Sequence, residues 1–157
     1  MAEIEGVQLF DGLDDESLVL VKGLCEDVEF YNKERIFKEG DDATHLWFVR
    51  DGMVDLRFDL PSRQTTSEQT ITTAGKNKAF GWSALIEPHL YGLSAYSATD
   101  YCAVSKIERK ALQSFLKEYP AIGFVVMSKL AQVIATRFRD MQEEMAIQYG
   151  QNIMDHW

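Results

Sequence analysis

Apolar positions along the chain fall into three textures. Near the start, Leu18, Val21 and Leu24 follow at helical spacing behind Asp14-Asp15-Glu16, whose charges suit the first turn of a helix. From Val28 to Ile107 the period shortens to β-prone runs cut by turn residues: Val28–Tyr31, Arg35–Lys38, Leu46–Arg50, Met53–Phe58, Gln69–Thr73, Ser94–Ala98 and Cys102–Ile107. Asp51-Gly52 between two such runs is a strong hairpin signal, because both residues tolerate positive φ. Many short strands at this spacing predict a sandwich or jelly roll. Asp59–Ser67 is a polar loop, expected to be mobile.

Helical spacing returns with Ala111, Leu112, Phe115 and Leu116, and Pro120 suits a first helical turn. Nothing breaks the helix from Ala121 to about Ile147, and ~27 residues at 1.5 Å each span roughly 40 Å. Met127, Leu130, Ile134, Phe138, Met141 and Met145 form an apolar stripe wide enough to face both a core and a partner. Because the helix outruns the β body, the surplus predicts a homodimer seam through Met127, Leu130, Ile134, Phe138 and Met141. The alternatives are a helix wholly absorbed by its own domain, or a Met-rich end that frays. Arg139 and Glu143, four apart, form a weak supporting pair on its outer side.

The length of 157 residues suits a single domain over 1–157: an N-terminal helix and β body over 8–107, C-terminal helices over 108–147 and a tail over 148–157. The expected class is α+β, a jelly roll of about eight strands between an N-terminal helix and a long C-terminal one. A formal net charge of −9 opposes non-specific nucleic-acid binding and docking on anionic lipid. Met1–Glu5 lacks the basic and apolar regions of a signal peptide, and no unbroken run approaches the ~18 apolar residues of a membrane span. A cytoplasmic protein, with no membrane association, is expected.

Cofactor and catalytic chemistry find little support. Cys25 and Cys102 are far apart; Cys25 is read as ending an apolar helix face and Cys102 as lying in a strand, both buried and inert. His45, His89 and His156 are isolated, with no metal-ligand spacing. Ser83 has no recognisable triad partner and is read as a capping hydroxyl. No metal, cofactor, catalytic residue or enzymatic activity is expected.

Three stretches in order carry a family resemblance. Leu9-Phe10 and Leu13 precede the first helix. Phe37-Lys38-Glu39-Gly40-Asp41 then leads to Leu46–Val54. Finally Phe80-Gly81-Trp82-Ser83-Ala84-Leu85 is followed by Ser94-Ala95 and Ala98-Thr99-Asp100. Over residues 8–147 the pattern resembles the cyclic nucleotide-binding domain, specifically the effector domain of catabolite-activator-like (Crp/Fnr) regulators. The resemblance implies a jelly roll whose phosphate cassette is Phe80–Leu85 with Leu93, Ser94 and Ala95, and whose long helix closes over the ligand near Arg137 and Phe138. It also implies that this helix dimerises.

The cassette departs from the family's pattern at two chemical positions. Trp82 stands where the family has the Glu that accepts from the ribose hydroxyl. Gly92 or Leu93 stands where it has the Arg that neutralises the cyclic phosphate. An enclosed Arg–phosphate pair contributes about 1.5–3 kcal/mol, and Lys76, Lys78 and His89 flank the cassette without occupying the motif position. Tight binding of cyclic AMP or cyclic GMP is therefore not expected. Trp82 is either a core or lid aromatic, or part of a pocket re-tooled for another ligand that Tyr91 and Tyr96 extend. In the family the helix hands its signal to a DNA-binding domain; only about ten residues follow Ile147, so direct nucleic-acid binding is not expected of this chain. Two functions remain: a regulatory module that senses a small ligand, an anionic metabolite among the candidates, in the jelly-roll pocket and signals through the long helix, or a ligand-degenerate scaffold for dimerisation or a protein partner.

Overall fold

The computed structural model of the chain describes residues 4–59 and 65–155. Asp14 caps α1 (Asp15–Lys22) by accepting from the Ser17 backbone N–H at 2.8 Å, and the Ser17 hydroxyl together with that N–H holds its carboxyl below the usual range. Eight strands follow: β1 (Cys25–Tyr31), β2 (Arg35–Phe37), β3 (His45–Asp51), β4 (Val54–Arg57), β5 (Thr70–Ala74), β6 (Ala79–Phe80), β7 (Ser94–Ser97) and β8 (Tyr101–Glu108). They form two antiparallel four-stranded sheets, β1-β8-β3-β6 and β2-β7-β4-β5, which is the expected jelly roll. Two helices close the chain, α2 (Arg109–Glu118) and α3 (Pro120–Asp155).

Every strand run read from the sequence is a strand. The exception in the other direction is β6, whose two buried residues are too few to show an alternation. Cys25 opens β1 instead of ending the first helix, because α1 stops at Lys22 and Gly23-Leu24 turn the chain. Residues 60–64 of the polar loop, and His156, lie outside the described residues.

The core fills the space between the sheets with Leu46, Phe48, Val49, Val54, Leu56, Phe80, Val104 and Ile107. Helix α3 adds Ile122, Val126 and Leu130, with Val133 and Ile134 partly buried beside them, and its Lys129 reaches Asp11 at 3.7 Å. Beyond Arg137 every described side chain of the helix is exposed, and Phe138 (62% exposed), Met141 and Met145 emerge. The helix also contains an 18-residue window of mean hydropathy 1.4, enough by length and composition to cross a bilayer. The stretch is not an unbroken apolar run, since Ser128, Lys129 and Gln132 interrupt it. Its Ile122, Val126 and Leu130 are already buried on the chain's own roll.

The Asp51-Gly52 turn is tightly built. Gly52 has φ +84, and a Cβ there would sit 2.6 Å from both the Thr99 Oγ1 and the Tyr101 carbonyl oxygen. Gly52→Ala is therefore expected to destabilise the fold by about 2 kcal/mol or more. The urea midpoint of the variant against wild type measures this, and an unchanged midpoint would refute it.

Candidate functional site

The cassette is built on an aromatic floor. From β6 the chain enters Gly81 in the left-handed region (φ 67, ψ 27), and a 3₁₀ turn covers Trp82–Leu85. A Cβ at Gly81 would lie 2.8 Å from Trp47, 3.1 Å from Tyr91 and 3.2 Å from Phe37. The glycine is thus required by the rings beneath it as well as by its dihedrals. Tyr91 is stacked on Phe37 with centroids 3.7 Å apart and planes 8° apart. Its hydroxyl accepts from the Trp47 Nε1–H at 3.1 Å and donates to the His45 carbonyl at 2.8 Å. Burial pushes this phenol up from its ordinary pKa. Tyr91 therefore belongs to the core and not to a pocket lining.

The other expected residues divide into groups. Phe80, Ala84, Ser94 and Ala95 are buried, while Leu85 and Leu93 pack against the core. Of the two positions to which the resemblance assigns the family's arginine, Leu93 packs against the core and Gly92 supplies no side chain. The Ser94 Oγ accepts from the Glu39 backbone N–H at 2.8 Å. Ser83 is not a cap: Gly81 holds the N-cap position with no side-chain bond, and the Ser83 carbonyl instead accepts from the Ile86 N–H at 3.1 Å. Trp82 is half-buried against the core, and the Arg137 guanidinium lies 5.4 Å from its ring centroid. Phe138, one residue further along α3, points out of the roll. The structure therefore brings together Gly81, Trp82 and Arg137, and leaves Phe138 apart.

Beside this pair, a groove of about 790 Å³ runs between β5 and α3, lined by Thr72, Lys78, Val133, Arg137, Asp140 and Met141 among others. Burial pulls the Arg137 pKa below its ordinary value, partly offset by the Asp140 carboxylate. Among the described residues no carboxylate lies within ion-pairing distance of Arg137. A half-buried guanidinium that faces a groove against an indole and makes no direct ion pair, although Asp140 and Glu144 line the same groove, has donors left to offer an anion. Sequence reasoning missed Thr72 and Asp140, and named Lys78 only as a cation flanking the cassette. The helical offsets 137, 140, 141, 144 place one groove wall on a single face of α3, and that signal was readable.

No group of three or more His, Cys, Asp or Glu suited to a metal occurs among the described residues. Burial, with Asp27 as a lesser cause, pushes the Cys25 thiol up to about 12, and burial raises Cys102 as well. At pH 8 both thiols stay protonated in the native state, so a thiolate-selective disulfide reagent should label neither until the protein is unfolded. Rapid stoichiometric labelling of the folded protein would overturn this.

Comparison with known proteins places this geometry in a family. The cyclic nucleotide-binding domain model matches residues 27–119. The cAMP-dependent protein kinase type II regulatory subunit of Drosophila melanogaster is 32% identical over 85 residues, 54% of this chain and 22% of that protein. The chain therefore spans only about a fifth of such curated relatives. Among solved structures, a Geobacter metallireducens GS-15 protein named as cyclic nucleotide-binding is 26% identical with a TM-score of 0.73, over 88% of this chain and 99% of that one. The Thermus thermophilus catabolite activator protein shares the fold at 24% identity and a TM-score of 0.72, over 89% of this chain and 62% of that one. The chain belongs to the cyclic nucleotide-binding domain family. Its matched curated relatives are regulatory subunits.

Proposed function

We propose that this chain is a regulatory module that senses a small anionic ligand other than cyclic AMP or cyclic GMP, and that signals through α3 as a homodimer. The observation that carries the reading is Arg137. It touches Trp82 of the cassette and lines the β5–α3 groove, so an anion arriving there competes for the contact that holds α3 against the cassette. A ligand with different affinity for the latched and released helix shifts the population between the two. Cyclic nucleotides are disfavoured because the ribose-acceptor position is an indole and the phosphate-cation position is apolar.

The scaffold alternative draws on one observation, the emergent apolar side chains of α3. Phe124 is 75% exposed, and Phe138, Met141 and Met145 stand open beyond the roll. Of the expected seam residues Met127, Leu130, Ile134, Phe138 and Met141, Leu130 and Ile134 pack on the chain's own core and only Met127, Phe138 and Met141 are exposed, so a seam would run through those three, and it serves both readings. The reading gives the chain no enzymatic role, no direct contact with nucleic acid or membrane, and a cytoplasmic setting.

Native mass spectrometry with and without cyclic AMP and cyclic GMP tests the proposal. A dimer indifferent to both nucleotides is expected, and stoichiometric uptake of either would overturn the ligand assignment. Trp82→Glu with Leu93→Arg should create measurable cyclic AMP binding in calorimetry, because the Gly81 turn is held by the core. Absence of heat from a variant whose thermal unfolding is intact would show that the cradle does not survive. Phe138→Glu with Met141→Glu, both on exposed positions, should convert the dimer to monomer without loss of helicity, and a persisting dimer would place the seam elsewhere.

A further inference from the structure

The sheet β2-β7-β4-β5 has a second face, turned away from the core, and its chemistry is unusual. Along β4, Val54 and Leu56 point inward, so Asp55 and Arg57 point outward. The register sets Asp55 opposite Tyr96 and Thr73, Arg57 opposite Ser94, and Arg35 opposite Tyr96. An outward face is normally wet, yet Arg57 is only 7% exposed and Asp55 9%. The Arg57 Nη2 donates to the Asp55 Oδ2 at 2.9 Å, the Thr73 hydroxyl donates to the other Asp55 oxygen at 3.0 Å, and the guanidinium lies 4.6 Å from the Tyr96 ring centroid.

This arrangement floors a groove of about 910 Å³, whose walls add Lys33, Arg35, Lys38 and Asp59. Both of its acids are engaged: Asp55 as above, and Asp59 by the Thr65 hydroxyl at 2.8 Å. Its cations are not matched in the same way. Among the described residues Lys33, Arg35 and Lys38 have no carboxylate within ion-pairing distance, and the buried Arg57 Nε has no acceptor. Buried donors are almost always satisfied, so an orphan under a groove marks donor capacity that the fold itself does not consume. Unpaired cations gathered on one surface of a chain with net charge −9 point the same way. The groove shares no lining residue with the one that Arg137 faces.

We propose that this groove is a second binding site, on the outer face of the roll, for a small multivalent oxyanion. Arg57 is held in place by Asp55 and Tyr96 as the rigid floor, and Arg35, Lys38 and Lys33 close on the charge from the rim. Asp55 keeps the guanidinium oriented before the ligand arrives, so little is lost in ordering it. Phosphate esters and polycarboxylates share the required chemistry.

The test is titration of the full chain with inorganic pyrophosphate and, separately, citrate, read as amide and Arg side-chain NMR shifts. Saturable movement of the Arg57 Nε–H and of the Tyr96 amide is expected, with the Arg137 signals still. Response to pyrophosphate alone identifies a phosphate-bearing ligand, and response to both identifies any multivalent oxyanion. Arg35 and Lys38 are exposed, so Arg35→Gln/Lys38→Gln should fold normally and bind about tenfold or more weakly. No saturable shift with either anion would overturn the proposal, as would undiminished binding by the double variant. Shifts confined to the Arg137 groove would also overturn it while leaving the regulatory reading untouched.

Discussion

The stack of Tyr91 on Phe37 is the contact on which the rest of the site depends. Phe37 lies on β2, Trp47 on β3 and Phe80 on β6, so the ring cluster joins the two sheets where the cassette leaves them. Tyr91 cannot swing out without orphaning the buried Trp47 N–H, a penalty of about 1–3 kcal/mol. With the rings fixed, only a residue lacking Cβ fits at 81, and the left-handed turn follows. The cassette's backbone is therefore maintained by the core. Its shape does not depend on which side chains Trp82 and Leu93 present.

That same constraint explains the division of labour along α3. Ile122, Val126 and Leu130 are committed to the roll and anchor the first half of the helix. Arg137 marks the end of that commitment: its guanidinium meets Trp82, and every side chain described after it is exposed. A cation–π contact that is partly wet contributes about 0.5–2 kcal/mol. It is strong enough to bias the helix and weak enough for an ionic ligand to displace. The burial that depresses the Arg137 pKa is the unfavourable term that an anion would relieve.

Much of the fold was legible because it rests on periodicity. The seven strand runs, the Asp51-Gly52 turn and the long helix all follow from spacing and turn chemistry, and the family pattern orders them. What escaped depends on geometry that spacing does not carry. Two residues of β6 are too short for an alternation, and the end of α1 was set by a turn at Gly23-Leu24 that moved Cys25 into a strand. Ser83 looked like a cap because hydroxyls favour that position, whereas Gly81 holds it. Tyr91 and Tyr96 illustrate the limit at the site itself. Both are aromatics near the cassette, yet one is sealed beneath it and the other lies under Arg57 on the opposite face of the sheet. Asp55 and Arg57 alternate with apolar residues in the Met53–Phe58 run, as any strand's outward positions do, and only their burial sets them apart.

The distribution of charge ties the two grooves together. Apart from Asp140 and Glu144 in one groove and Asp55 and Asp59 in the other, acid is carried on the first turn of α1, along β1 at Glu26, Asp27 and Glu29, and at Glu143 of α3. An anion approaching this molecule meets a repulsive field at long range and attraction only once it is within a Debye length of Arg137 or Arg57, about 8 Å at physiological salt. On the proposed reading, affinity would come from short-range, charge-assisted contacts and not from steering. Added salt consequently has opposed effects, screening the repulsion that slows entry and weakening the contacts that hold the ligand. Compact multivalent anions fare best in that balance, since they gather several short-range bonds for a single passage through the field. Extended polyanions such as nucleic acid fare worst, because most of their charge would lie against the acidic surface around either groove.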